Sequence, residues 1–198
     1  ALAASNAVAP GGHALMVKTG AYTNGLQVTA AHNGLATATN EVRAAGAVTL
    51  SRRGVGFSAA TNVALRGFTI RNVKNGVSVR DYGVAVTNYS RAIEVADCRI
   101  LDCGDDIYDY GVYNYFPQYL PGTTIGSGNG DFVVRRCVVA GNFSSGVYFG
   151  GYARNGNLLD RCVIYGNNGQ GIFQSMLSYI RVTDSILAGN GSNGAIEG

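Results

Sequence analysis

Arg136-Cys137-Val138-Val139-Ala140-Gly141-Asn142 decides the fold, because the chain writes it twice more. The copies are Arg161-Cys162-Val163-Ile164-Tyr165-Gly166-Asn167 and Asp184-Ser185-Ile186-Leu187-Ala188-Gly189-Asn190. A second glycine follows in each unit: Gly146, Gly171 and Gly194. The spacings are 25 and 23 residues, in the range of solenoid and array repeats. Inside each unit the apolar residues alternate with period two, which is strand periodicity. The segments are short, rich in Val and Ile, and bounded by Gly, Asn and Ser. Units this short cannot hold a crossover helix, so they pair only by stacking coil on coil. The repeat therefore predicts an all-β parallel solenoid with a continuous inward column.

Upstream, Phe68-Thr69-Ile70 and Cys98-Arg99-Ile100 occupy the register of Cys137-Val138-Val139, at steps of 30 and 39 residues. A constant coil of roughly 23 residues leaves an excess of about 7 and 16, which must leave as loops. The expected loops are residues 80–90 and 108–130. They follow the segments Gly76-Val77-Ser78-Val79 and Asp106-Ile107-Tyr108, expected to be strands of one sheet. The expected inward column is Phe68, Cys98, Cys137, Cys162 and Ser185.

The N-terminal stretch Ala9-Pro10-Gly11-Gly12-His13-Ala14-Leu15-Met16-Val17-Lys18-Thr19-Gly20-Ala21-Tyr22 resembles secreted right-handed parallel β-helix proteins of the pectate-lyase-like superfamily. Leu26-Gln27-Val28, Glu41-Val42-Arg43 and Gly46-Ala47-Val48 continue that grammar. The resemblance covers nearly the whole chain. It implies a single-stranded right-handed parallel β-helix: one domain over residues 1–198, a cap with a short helix over 1–12, and about seven coils over 13–198. It also implies a secreted or cell-surface setting. It does not select an activity, since lyases, hydrolases, epimerases, adhesins and tailspikes share the architecture.

Composition narrows the partners. A net charge of +3 and 14% charged residues leave no clustered basic footprint for nucleic acid. Arginine outnumbers lysine 13 to 2, and its fork suits carboxylates, so an acidic polysaccharide is the expected partner. No apolar run reaches the length of a membrane span. The last coil ends without an evident cap. The expectation is a chain that continues, or an open end that self-associates.

The four cysteines are Cys98, Cys103, Cys137 and Cys162. They lack metal-site spacing and are expected as buried thiols, with Cys103 in a turn and partly exposed. Asn142, Asn167 and Asn190 should tolerate left-handed backbone and form an amide ladder. His13 and His32 are expected on the surface. Asn88-Tyr89-Ser90, Asn142-Phe143-Ser144 and Asn190-Gly191-Ser192 match the glycosylation triplet, which arises readily by chance in such a composition.

Two features carry the candidate chemistry. Gly104-Asp105-Asp106 resembles the acidic segment of polygalacturonases, but Lys74-Asn75-Gly76 and Ser144-Ser145-Gly146 replace the family's flanking motifs. An inverting hydrolase needs two carboxyls across its substrate, and that pattern is missing. Lyase or epimerase chemistry on a uronate fits better. Lys74 or Arg80 would serve with Asp105 and Asp106 as catalytic residues. Asp105, Asp106 and Asp109 would hold Ca²⁺. The competing reading is that the two aspartates cap a turn balanced by Lys74. The second feature is aromatic: Tyr108, Tyr148 and Phe173 on adjacent coils, with Tyr113 and Tyr115 in a nearby loop, form a substrate-binding surface unless the loop folds over and buries it. The non-catalytic alternative is a structural or adhesive solenoid: a spike, adhesin or filament subunit.

Overall fold

The computed structural model describes residues 11–74, 83–87, 90–104, 111–116, 130–151, 156–174, 179–191 and 196–197. Its strands are β1 (Ala14–Tyr22), β2 (Leu26–Thr29), β3 (Asn40–Leu50), β4 (Val55–Ser58), β5 (Thr61–Arg71), β6 (Val84–Thr87), β7 (Arg91–Ala96), β8 (Arg99–Leu101) and β9 (Val112–Phe116). They continue as β10 (Gly130–Arg135), β11 (Val138–Ala140), β12 (Val147–Gly151), β13 (Asn157–Asp160), β14 (Val163–Tyr165), β15 (Ile172–Gln174), β16 (Ile180–Thr183), β17 (Ile186–Ala188) and β18 (Ile196–Glu197). The described helix is a single 3-10 turn, Ala30–His32. It is not long and apolar enough to cross a membrane. Of the expected cap over residues 1–12, Gly11 and Gly12 are described and are not helical, and residues 1–10 lie outside the described part.

All pairings between these strands are parallel. A 7-stranded sheet runs β18-β15-β12-β9-β6-β4-β2 and is called sheet B below; the remaining strands form an 11-stranded sheet, sheet A. Sheet A is two columns joined at β5. This strand pairs with β7 through Thr61–Arg66 and with β8 through Thr69–Arg71. Between the two halves lies Gly67, at φ 80°.

Left-handed corners explain how so short a repeat closes. Gly67, Asp97, Arg136, Arg161 and Asp184 stand immediately before the inward column, with φ between 48 and 80°. Asn72, Asp102, Gly141, Gly166 and Gly189 turn the next corner, with φ between 52 and 65°. Glycine, Asn and Asp reach this region most readily. The expected left-handed asparagines are therefore displaced by one: the glycine before each takes the strained backbone.

The inward column is as expected. Phe68, Cys98, Cys137 and Cys162 are each 1% exposed, and Ser185 Oγ accepts from Cys162 N at 3.0 Å. Backbone bonds tie Cys98 to Val138, Cys137 to Val163 and Cys162 to Ile186, rung on rung. All four thiols are free and buried. Cys103 differs from expectation, being wholly buried. It fills the asparagine slot one rung earlier, where its N donates to Asn142 Oδ1 at 3.1 Å. Burial pushes its thiol up to about 12.

Phe57, Phe68, Phe132 and Phe149 are the largest buried rings. Each contributes roughly 1.5–3 kcal/mol by burial. The rings of Phe132 (β10) and Phe149 (β12) sit 6.1 Å apart. This contact packs sheet B against the β3/β5/β7/β10 column, so the outer faces of the two point away from each other. The predicted amide ladder forms. Asn142 Nδ2 donates to Asn167 Oδ1 and Asn167 Nδ2 to Asn190 Oδ1, both at 2.8 Å. His32 departs from expectation: it is buried, and its Nδ1 accepts from Thr29 N at 3.1 Å.

Candidate functional site

Sheet B presents one residue per rung at each register position. Val55, Val84, Val112, Val147 and Ile172 form one inward row. The next position reads Gln27, Gly56, Ala85, Tyr113, Tyr148 and Phe173. Alternation in a strand sends Gln27, Tyr148 and Phe173 outward. Gln27 is exposed, and Tyr148 and Phe173 are half-buried. The Tyr148 and Phe173 ring centroids lie 5.3 Å apart at 51°, within the range of favourable aromatic pairs.

The register corrects the sequence reading at two places. Tyr113, rather than Tyr108, is the Cα partner of Tyr148. The glycines opening successive rungs are Gly83, Gly111, Gly146 and Gly171, whose carbonyls accept from Val55, Val84, Val112 and Val147 respectively. The expected openers Gly76 and Asp106 therefore do not hold those positions. The extra residues enter before the sheet B strands as well as after them. The signal was present: Gly111-Val112-Tyr113 repeats Gly146-Val147-Tyr148 letter for letter.

Of the expected catalytic residues, Lys74 is described and exposed. Gly104 N donates to Val73 O at 2.9 Å, so Lys74 lies beside Gly104 on the neighbouring rung. Arg80, Asp105, Asp106, Tyr108 and Asp109 lie outside the described residues. Tyr115 belongs to β9 and is the Cα partner of Gly150. Among the described residues no group of three His, Cys, Asp or Glu is placed to hold a metal ion. Two of the glycosylation triplets are committed to the ladder through Asn142 and Asn190.

A second set of polar residues, missed in the sequence, crosses the outer face of sheet A. Glu41 binds Arg43 and Arg66; Arg66 also binds Glu94 at 2.7 Å. Glu94 meets Arg135 at 3.6 Å, and Arg135 meets Asp160 at 3.0 Å. Asp160 also accepts from Thr183 Oγ1 at 3.0 Å. Burial opposes ionisation of Asp160, yet Thr183, Arg161 and Arg135 hold it below the usual carboxylate range. Alternating signs across successive strands tie the rungs together.

The geometry can be set beside known proteins. A family model described as "Right handed beta helix region" matches residues 17–197. The chain belongs to the right-handed β-helix family. Its handedness follows from that membership. Among solved structures, the chain is similar to one titled "Rhamnogalacturonan lyase", with a TM-score of 0.61 and 12% identity. That match covers 96% of this chain, which spans about half (54%) of the other. A likeness at this identity concerns the fold alone. A second match is the mannuronan C-5 epimerase AlgE4 A-module of Azotobacter vinelandii, with a TM-score of 0.32 and 16% identity, covering 93% of this chain and 72% of that one. No curated protein matches the sequence significantly.

Proposed function

We propose that this β-helix binds an extended, acidic carbohydrate chain, in an extracellular setting, along the outer row of sheet B. The observation that carries this reading is the Tyr148–Phe173 ring pair in one-to-one register, with Tyr113 at the same position one rung earlier. Parallel rungs recur about every 4.8 Å, so the row is periodic on the scale of a single sugar ring. Flat rings suit sugar faces, and on an earlier rung the Gln27 amide lies over Gly56, placing a hydrogen-bonding group in the same row. The excess of arginine over lysine supports an acidic polymer. A rhamnogalacturonan lyase with this fold is compatible precedent for the architecture.

The catalytic form of the proposal is elimination or epimerisation at a uronate. Lys74 or Arg80 removes the C5 proton. In elimination the C4–O bond then breaks and the electron pair leaves with that oxygen, creating a 4,5-unsaturated end; in epimerisation a proton returns to the opposite face. Ca²⁺ held by Asp105, Asp106 and Asp109 would, when bound, offset the charge of the substrate carboxylate.

Titration with polygalacturonate, alginate and a neutral polymer tests the binding. The acidic polymers should bind, and Tyr148→Ala should weaken them roughly tenfold, about 1.4 kcal/mol, with the fold intact. Equal affinity for the neutral polymer, or an unaffected Tyr148→Ala variant, contradicts the reading. Growth of ultraviolet absorbance from unsaturated uronate separates elimination from binding alone.

A further inference from the structure

The outer face of sheet A holds a recess of about 520 Å³ that the sheet B proposal does not use. Ala44 and Gly67 are among its lining residues and carry almost no side chain, which leaves the space open. Arg43, Arg66 and Arg136 also line it, with Glu41 and Asp97. Arg43 and Arg66 are Cα partners on neighbouring strands, an arrangement of like charges that is unfavourable unless relieved.

The hydrogen-bond inventory is lopsided. Both oxygens of Glu41 accept from guanidinium groups, one from Arg43 and one from Arg66. Both oxygens of Asp97 accept from Arg136, at 2.6 and 2.8 Å. Arg66 gives one further bond to Glu94. A guanidinium carries five N–H donors, so most donors of all three arginines remain for water or a ligand. The Arg43 and Arg136 side chains are 48% and 41% exposed. The Arg136 hydrogen bonds, then the charges of Arg136, Arg66 and Arg43, hold the Asp97 carboxyl below its ordinary value against the opposing effect of burial. Every carboxylate oxygen of Glu41 and Asp97 already faces a guanidinium, and the three arginines outnumber the two carboxylates that line the recess with them.

We infer that this recess is an oxyanion site, in which Arg43 and Arg136, backed by Arg66, take a uronate carboxylate or a sulfate group carried on a sugar. Forked guanidinium donors match either group. The site lies on the face opposite the sheet B row, so it is an accessory site independent of the ring pair.

The test uses the full chain carrying Tyr148→Ala and Phe173→Ala, so that failure of the ring row and failure of the recess are separable. Trigalacturonate, inorganic sulfate and a neutral trisaccharide are titrated by calorimetry. At least one oxyanion probe should bind, and the neutral sugar should not. Adding Arg43→Ala and Arg136→Ala should weaken that binding at least tenfold. Adding Arg99→Ala instead, an exposed arginine outside the recess, should leave it unchanged. Arg43→Gln, which gives up a single hydrogen bond, should show a partial loss with unaltered unfolding. Preference for trigalacturonate assigns a sugar carboxylate, and preference for sulfate a sulfated ligand. Binding of neither oxyanion, or equal loss on Arg99→Ala, overturns the site.

Discussion

Asn167 spends its whole amide on its neighbours. Its Oδ1 accepts from Asn142 N and Nδ2, and its Nδ2 donates to Val139 O at 3.2 Å and to Asn190 Oδ1. Asn167→Ala leaves buried donors and an acceptor unmet, at a cost of about 2–4 kcal/mol. Asn190, less buried, should cost clearly less on the same change; urea midpoints decide, and equal losses would deny the ladder its role. The four cysteines, all buried, should resist thiol reagents in the native protein and react fully in denaturant. Asp97 gives a pH signature. Its folded pKa lies below the unfolded one, so its contribution is present above the unfolded value near 3.9. The contribution disappears as pH falls through the folded value. Arg136→Gln should therefore be less stable than wild type at neutral pH, with the gap closing in acid. At this scale the inward column was legible because each member stands two residues before an aliphatic one: Ile70, Ile100, Val139, Ile164 and Leu187. Cys103 was not, since a thiol in an asparagine slot hides the repeat, and neither was His32, which closes the three-residue turn Ala30–His32.

Strands and corners follow simpler rules. A Cβ on Gly146 would meet Ile164 Cγ2 at 2.7 Å, Asn167 Nδ2 at 2.8 Å and Gly171 O at 2.8 Å. Gly146→Ala should cost about 1–3 kcal/mol by overpacking. Gly166 has open space around it but φ +60°, so its penalty is conformational. Gly166→Ala should cost about 1 kcal/mol, and Gly166→Asn less, because Asn72 holds the same corner upstream. Thermal unfolding of the three variants gives the order. Strand type and the late rungs were legible from the repeat. The two rungs with insertions were not. Placing the excess residues after each strand fixed Tyr108 in the row, whereas the matching triplets at Gly111 and Gly146 set the register that the chain adopts.

For the whole molecule, each rung touches only its neighbours, and stability is carried by interfaces between rungs. The core, the amide ladder and the ion ladder from Arg43 to Asp160 run along the same axis and are mutually in register. Repetition makes such a fold readable from sequence, because one slot is written several times. A site is written once, and its charges pair across strands distant in sequence; this is why the Glu41–Arg66–Glu94–Arg135 ladder was invisible beforehand. Everything assigned to either outer face depends on like-oriented rungs stacked one to one. The direct measurement is thiol cross-linking with a short bifunctional reagent on two double variants. Tyr148→Cys with Phe173→Cys, Cα partners on adjacent rungs, should join rapidly within one chain. Tyr148→Cys with Gln27→Cys, in the same row but separated by Gly56, Ala85 and Tyr113, should not. Failure of the first pair, or joining of the second at a similar rate, would contradict the staircase.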